Sequence, residues 1–94
     1  MLDIVYTGKM KHDVKLMKKR GKDMQKLIKT LVLLAGSQPM PPNYRDHRLS
    51  GNLKDFRECH VGGEGDWLLI YQISEDKLIL SASGTGTHSD LFRE

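Results

Sequence analysis

Residues 56–71 constrain this chain more than any other stretch. Phe56-Arg57-Glu58-Cys59-His60-Val61 and Asp66-Trp67-Leu68-Leu69-Ile70-Tyr71 both read as strands, and Gly62-Gly63-Glu64-Gly65 between them reads as the loop of an antiparallel pair. Side chains alternate along a strand, so Cys59 and Val61 share one face while Phe56, Glu58 and His60 share the other. His60 therefore points away from the small apolar pair as the first strand ends, and Asp66 stands where the second begins. The unbroken apolar run of residues 67–71 predicts a central strand covered on both faces, the rigid middle of a sheet whose rim carries the polar groups.

A chain of 94 residues builds one core, so residues 1–94 are expected to form a single domain. Its apolar stretches fall well short of the ~20 residues of a membrane span. Met1-Leu2-Asp3-Ile4-Val5-Tyr6 lacks the charged start and long apolar run of a signal peptide, so a cytoplasmic protein with no membrane partner is expected. The one cysteine, Cys59, has no internal disulfide partner, which agrees with a reducing compartment. With no histidine on its own face of the strand, it reads as a small buried side chain and not as a nucleophile.

The net charge of +3 conceals an uneven distribution. Residues 1–36 carry nine Lys or Arg against three Asp, a local charge of +6, whereas residues 37–94 carry six against nine, or −3. The basic half suits contact with a polyanion or an acidic partner, and equally a solvated helical face.

In chain order, residues 2–6 predict a first strand. Thr7 offers a cap to a helix over residues 9–20, where Met10, Val14 and Met17 fall at helical spacing among Lys9, Lys11, Lys15, Lys18 and Lys19, with Gly21 as its stop. A second helix lays Met24, Leu27, Ile28, Leu31, Leu34 and Ala35 along one stripe, with Asp23 in its first turn and Gly36 at its end. Both stripes are expected to be core, the two helices packing as a hairpin over the sheet. Pro39, Pro41 and Pro42 forbid a helix and predict an extended surface connection. Residues 44–49 and a turn at Ser50-Gly51 then lead into the strand beginning near Leu53, residues 77–82 alternate as the last main strand, and residues 83–92 form a tail. Within it Thr87 and Asp90 make a capping box, so one helical turn is expected to carry Leu91 and Phe92 back onto the body. The expected fold class is α+β: a small antiparallel or mixed sheet, two N-terminal helices packed on it, and a short C-terminal helical turn.

His47, His60 and His88, with Glu58 and Asp66, fall at predicted strand ends or in loops, where a sheet exposes side chains at its rim. Imidazole ordinarily titrates near neutrality, so two of them can accept and donate a proton at physiological pH while a carboxylate orients one. Such a set suits removal of an RNA 2′-hydroxyl proton and protonation of a 5′-oxygen leaving group. Read alone, each histidine is more often a surface or hydrogen-bonding residue, and His12 on the first basic helix is assigned to that class. Three His and one Asp could instead hold zinc, but their spacings match neither H-x-x-x-H nor C-x-x-C, and no metal or cofactor is expected. Gly84-x-Gly86 is too short for a P-loop and lacks the Lys-Ser/Thr that follows one, so it reads as a turn whose amides could hold one phosphate.

Four ordered blocks carry a resemblance: Asp46-His47-x-Leu49-x-Gly51, Phe56-Arg57-Glu58-Cys59-His60, Asp66-Trp67-Leu68-Leu69-Ile70-Tyr71 and Gly86-Thr87-His88-Ser89-Asp90-Leu91-Phe92. They resemble the signature blocks of RelE/YafQ-type toxins, the YafQ branch most closely, and the resemblance extends over the Lys-rich helices and the Pro-rich connection. It implies a RelE/ParE-like, microbial-RNase-like fold and the toxin of a type II toxin–antitoxin module. The implied activity is that of a metal-independent endoribonuclease, an mRNA interferase that cuts mRNA in the ribosomal A site and inhibits translation. The implied partners are a cognate antitoxin and the ribosome, with its 16S rRNA and A-site mRNA.

By matching position, the resemblance makes His47, His60, Asp66 and His88 the catalytic set and Phe92 the aromatic beside it, while Arg57 and Glu58 match the strand's Arg–acid pair. Lys15, Lys18, Lys19 and Lys22 are expected to grip ribosomal RNA through its phosphates. Two departures stand out. The loop between His60 and Asp66 is two residues longer than the family pattern and lacks its proline, which leaves Asp66 displaced or more mobile. Gly84 stands where many members carry an arginine to stabilise phosphate charge, so either Arg48 or Arg57 substitutes or the chain is a weakened form. Two other classes stay open: a ParE-type inhibitor of DNA gyrase, against which the His-rich rim argues, and a non-catalytic RNA- or ribosome-binding module, which Gly84 favours.

Overall fold

In the computed structural model, which describes residues 1–92, five strands form one sheet of order β1-β5-β4-β3-β2. The strands are β1 (Asp3–Tyr6), β2 (His47–Arg48), β3 (Arg57–His60), β4 (Leu68–Ser74) and β5 (Ile79–Gly86); the helices are α1 (Gly8–Lys19), α2 (Met24–Ala35) and α3 (His88–Phe92). β1 runs parallel to β5, and every other neighbouring pair is antiparallel. The apolar run therefore does occupy the middle strand, where Leu68, Leu69 and Tyr71 lose nearly all exposure. β3 and β4 pair with His60 opposite Leu68 and Arg57 opposite Tyr71. Their loop opens with a 3₁₀ turn, Val61–Gly63, and Gly62, Gly63 and Gly65 have φ of +70°, +74° and +70°. Side chains with a Cβ rarely adopt that left-handed backbone, which is why glycines fill the loop.

The Thr7 hydroxyl caps α1 by accepting from the Met10 amide at 3.1 Å. α1 lies against β5, and α2 lies against β1 and the 61–63 turn. Met10 and Met17 from α1, with Leu27, Leu31, Leu34 and Ala35 from α2, enter one core with Leu69, Tyr71, Leu80 and Ala82. Each such large side chain contributes about 1.5–3 kcal/mol on burial, enough for the two stripes to hold their helices to the sheet.

Several boundaries differ from the sequence expectation. Asp23 sits just outside α2 as its cap, the carboxylate accepting from the Gln25 amide at 3.0 Å. Ile28 is 48% exposed and faces solvent with Val32, off the buried stripe. The proline connection is not wholly extended, because Pro42 opens a 3₁₀ turn, Pro42–Tyr44, whose first position tolerates a missing N–H. A second such turn, Gly51–Leu53, delays the strand expected near Leu53 until Arg57. Leu78 lies outside β5 with φ +55° and 60% exposure, whereas residues 83–86, expected in the tail, continue the strand, with residues 84–86 paired to β4 beyond a bulge at Ser83. The capping box forms as expected: the Thr87 amide donates to Asp90 Oδ2 at 2.9 Å and the Asp90 amide to Thr87 Oγ1 at 3.1 Å. Among the described residues no helix is long and apolar enough to cross a membrane.

Candidate active site

Strand register sorts the polar side chains between two faces. Arg57, Cys59, Leu69 and Tyr71 face the helices' side of the sheet, and the opposite parity puts His47, Glu58, Ile70 and Gly84 in one transverse row, with His60, Leu68 and Gly86 in the next. The histidines thus gather on the second face and at its end.

His60 closes β3, and its Nδ1 lies 2.8 Å from the Gly65 carbonyl oxygen. A carbonyl only accepts, so Nδ1 carries a hydrogen, and in the neutral ring the lone pair is on Nε2. Asp66 Oδ1 lies 2.7 Å from His88 Nδ1 and also accepts from the His88 amide at 3.2 Å. The side-chain and backbone hydrogen bonds from His88, with the positive ends of His88 and His60 nearby, hold the Asp66 carboxyl below the usual carboxylate range. The longer loop therefore leaves Asp66 seated against α3. Asp66 orients His88 and not His60, which the loop's own carbonyl orients instead. The His88 ring also packs on Phe92, centroid to centroid 6.1 Å. In β2, His47 Nδ1 lies 2.6 Å from the Arg45 carbonyl oxygen, and its Nε2 faces Oε1 of the buried Glu58 at 3.8 Å.

Two devices bring α3 onto the face. Arg20 donates from both terminal nitrogens to Asp90, at 2.6 and 3.0 Å. A Cβ at Gly86 would lie 2.8 Å from the Asp90 Cβ, so only glycine lets α3 fold back this closely. The start of β4 is secured beside Asp66 by Thr85, whose hydroxyl accepts from Trp67 Nε1 at 2.8 Å and donates to the Leu68 carbonyl at 2.7 Å.

Other residues singled out in the sequence lie elsewhere. Arg57 is on the core-side face, donating to Asp46 Oδ2 at 3.2 Å while the Tyr71 hydroxyl donates to the other oxygen of Asp46. Arg48 pairs with Arg57 across the strands and shares that face. Gly84-x-Gly86 is strand and not a phosphate turn, and the Thr85 amide donates to Asp13 Oδ2 at 3.1 Å. Burial pushes the Cys59 thiol up to about 12, which keeps it protonated. Lys15, Lys18, Lys19 and Lys22 are all exposed, and the basic surface reaches the Asp66 loop through Lys22, 6.0 Å from the Trp67 ring centroid, and Lys26, 2.9 Å from Glu64. Sequence reasoning passed over Asp13, nearly buried though it is the one acid of α1, and its partner Lys9 at 2.6 Å. The available signal was an acid four residues after a lysine in an otherwise basic helix. Among the described residues no group of three or more His, Cys, Asp or Glu side chains stands close enough to hold a metal ion.

Comparison with known proteins places this architecture among small bacterial toxins of α+β fold. The mRNA interferase toxin YafQ of Escherichia coli is 48% identical over 91 residues, 96% of this chain and 95% of that protein. The solved E. coli DinJ-YafQ toxin-antitoxin complex matches with a TM-score of 0.84 at 46% identity, covering 97% of each chain. A metal-bound toxin from Helicobacter pylori matches with a TM-score of 0.89 at 44% identity, covering 98% of this chain and 100% of that one. Residues 2–93 fit the family described as bacterial toxin of type II toxin-antitoxin system, YafQ, and the chain belongs to that family.

Proposed function

We propose that this chain is an mRNA interferase, a toxin that cuts ribosome-bound mRNA by metal-independent acid–base chemistry and thereby inhibits translation. The observation that carries the reading is the Asp66–His88 pair at 2.7 Å near His60, whose Nδ1 is held by the Gly65 carbonyl so that Nε2 stays free of the loop. His60 takes the proton of the RNA 2′-hydroxyl, the 2′-oxygen bonds to the adjacent phosphorus, and the bond from phosphorus to the 5′-oxygen breaks. His88 gives that oxygen a proton, leaving a 2′,3′-cyclic phosphate and a 5′-hydroxyl. Asp66 on Nδ1 fixes the orientation of the His88 ring, with Nε2 carrying the proton to the leaving oxygen, which suits it to the acid role. His47, held by the Arg45 carbonyl over Glu58, is a further imidazole on the same face, and Phe92 offers a face on which a base can stack. Lys15, Lys18, Lys19 and Lys22 hold 16S rRNA by phosphate contacts.

The complexes of related toxins with an antitoxin support a cognate antitoxin as partner, and ribosomes as substrate carriers imply a cytoplasmic protein acting as one domain over residues 1–94. The gyrase-inhibitor reading has no such support, since the matching relatives are named mRNA interferases.

Mapping RNA ends after brief exposure of mRNA-loaded ribosomes tests the proposal. Cyclic-phosphate and 5′-hydroxyl ends are expected, and cutting should survive chelators that leave the ribosome intact. His60→Gln and His88→Gln should each lower the rate on the order of 100-fold while ribosome binding persists, the usual scale for one lost proton-transfer group. A 5′-phosphate product would sink the mechanism.

A further inference from the structure

At the β5 end of the row formed by His47, Glu58, Ile70 and Gly84, the sheet itself carries no side chain. The ammonium of Lys9, from α1, occupies that place. A Cβ at Gly84 would lie 3.2 Å from Lys9 Nζ, 3.3 Å from Asp13 Oδ2 and 3.5 Å from a methyl of Leu91. Lys9 is fastened there: Nζ donates to Asp13 Oδ2 at 2.6 Å, and the same oxygen accepts from the Thr85 amide at 3.1 Å. The Asp13 side chain is 11% exposed and that of Lys9 59%, so the anchor is buried while the ammonium is open to solvent. Together with Phe56, Ile70, Leu91 and Phe92 the ammonium lines a largely apolar groove, in which Lys9 is the one charged residue among those described. Phe92 at its edge is the residue that packs on His88.

We propose that Lys9 is the cation that meets the scissile phosphate, with Asp13 as its positioning residue and Gly84 leaving the space it fills. The inference rests on the RNA-cleaving reading above. As the new bond to the 2′-oxygen forms and the bond to the 5′-oxygen breaks, negative charge gathers on the non-bridging phosphate oxygens. His60 and His88 move protons and leave that charge to another group. Neighbouring strands lie about 4.8 Å apart, so a phosphate seated over β4 stands within side-chain reach of both β3 and β5. Asp13 takes one of three ammonium hydrogens, and the others remain to donate. Other cations are differently placed: Arg48 and Arg57 on the opposite face, Arg20 on Asp90, and Lys26 on Glu64. A charge fixed in advance between apolar walls stabilises a transition state more than the same charge in water.

Single-turnover cleavage at saturating ribosome concentration, with thermal melts and ribosome co-sedimentation alongside, tests this. Lys9→Met should cut on the order of 100-fold more slowly, the scale of losing one fixed charge-stabilising donor, and Lys9→Arg should keep most of the rate. Both should melt close to the unmodified chain and co-sediment with ribosomes as it does. Adding Gly84→Arg to Lys9→Met should recover much of the loss, because the vacated space admits a cation from β5. Three results overturn the role of Lys9 while the unmodified chain still yields cyclic-phosphate ends. They are Lys9→Met cutting at the unmodified rate, a loss matched by weaker ribosome binding or a lowered melt, and a natively melting double variant no faster than Lys9→Met. Intact mRNA with the unmodified chain overturns both this inference and the function beneath it.

Discussion

Thr85 joins the two halves of the site through one hydroxyl and one amide. Its hydroxyl ties Trp67, the neighbour of Asp66, to β5, and its amide fixes the carboxylate that holds Lys9. Thr85→Val keeps the shape but leaves the Trp67 N–H and the Leu68 carbonyl without that partner in a buried place. It should cost about 2–4 kcal/mol, measured by chemical denaturation, since each unsatisfied group costs about 1–3. A loss below about 0.5 kcal/mol would mean that the two groups find other partners. Much at this scale was legible: His60, Asp66 and His88 meet where strand ends and a capped turn were read. Arg57 was misread as a phosphate ligand, although the alternation that puts Glu58 and His60 on one face puts Arg57 with Cys59 on the other. Asp13 was not, since helical periodicity reports which side faces a core and cannot report a carboxylate reaching a strand amide 72 residues away.

Among the elements, α3 depends most on electrostatics, being only five residues long. Arg20, then the Thr87 amide, hold the Asp90 carboxyl well below the usual carboxylate range. A group whose folded-state pKa is lowered contributes its full stability above the ordinary value, ~4 for aspartate, and loses it as pH falls through the lowered value. Asp90→Asn should therefore lower Tm by a constant amount from about pH 5 to pH 8, and the difference should narrow in stronger acid. With 41% of the Arg20 side chain and 22% of Asp90 exposed, solvent screens the ion pair and keeps its contribution small. Melts across a pH series check the sign, and a difference that widens toward low pH contradicts it. The box that caps α3 was readable from Thr87 and Asp90, but the end of β5 was not. Glycine at 84 and 86 argues locally against a strand, and pairing with the long middle strand overrides that preference.

Across the whole molecule, the excess positive charge lies in the first 36 residues, and its exposed lysines extend toward the loop that carries Asp66. Replacing Lys15, Lys18, Lys19 and Lys22 with Gln should weaken ribosome co-sedimentation and flatten its salt dependence without lowering the melt, because solvated lysines contribute little to folding. An unchanged salt slope would move the contact to another surface. The α+β class followed from the alternation of helical and strand periodicities, whereas the parallel β1–β5 pair joins residues 3–6 to 79–82, a separation on which local patterns are silent. That pair also sets an order of assembly. Within the sheet β1 is an edge strand with β5 as its neighbour, so the first strand synthesised waits for the last. α1 and α2 emerge early, but the strands they cover are complete only when residue 86 has been made, and His88 comes later still. Pairing over such a span is slow, because a long loop must close before contacts reward it. A nascent chain thus lacks the face that brings His60, Asp66 and His88 together during most of its synthesis, so under the proposed activity strand order spares the ribosome that is making it.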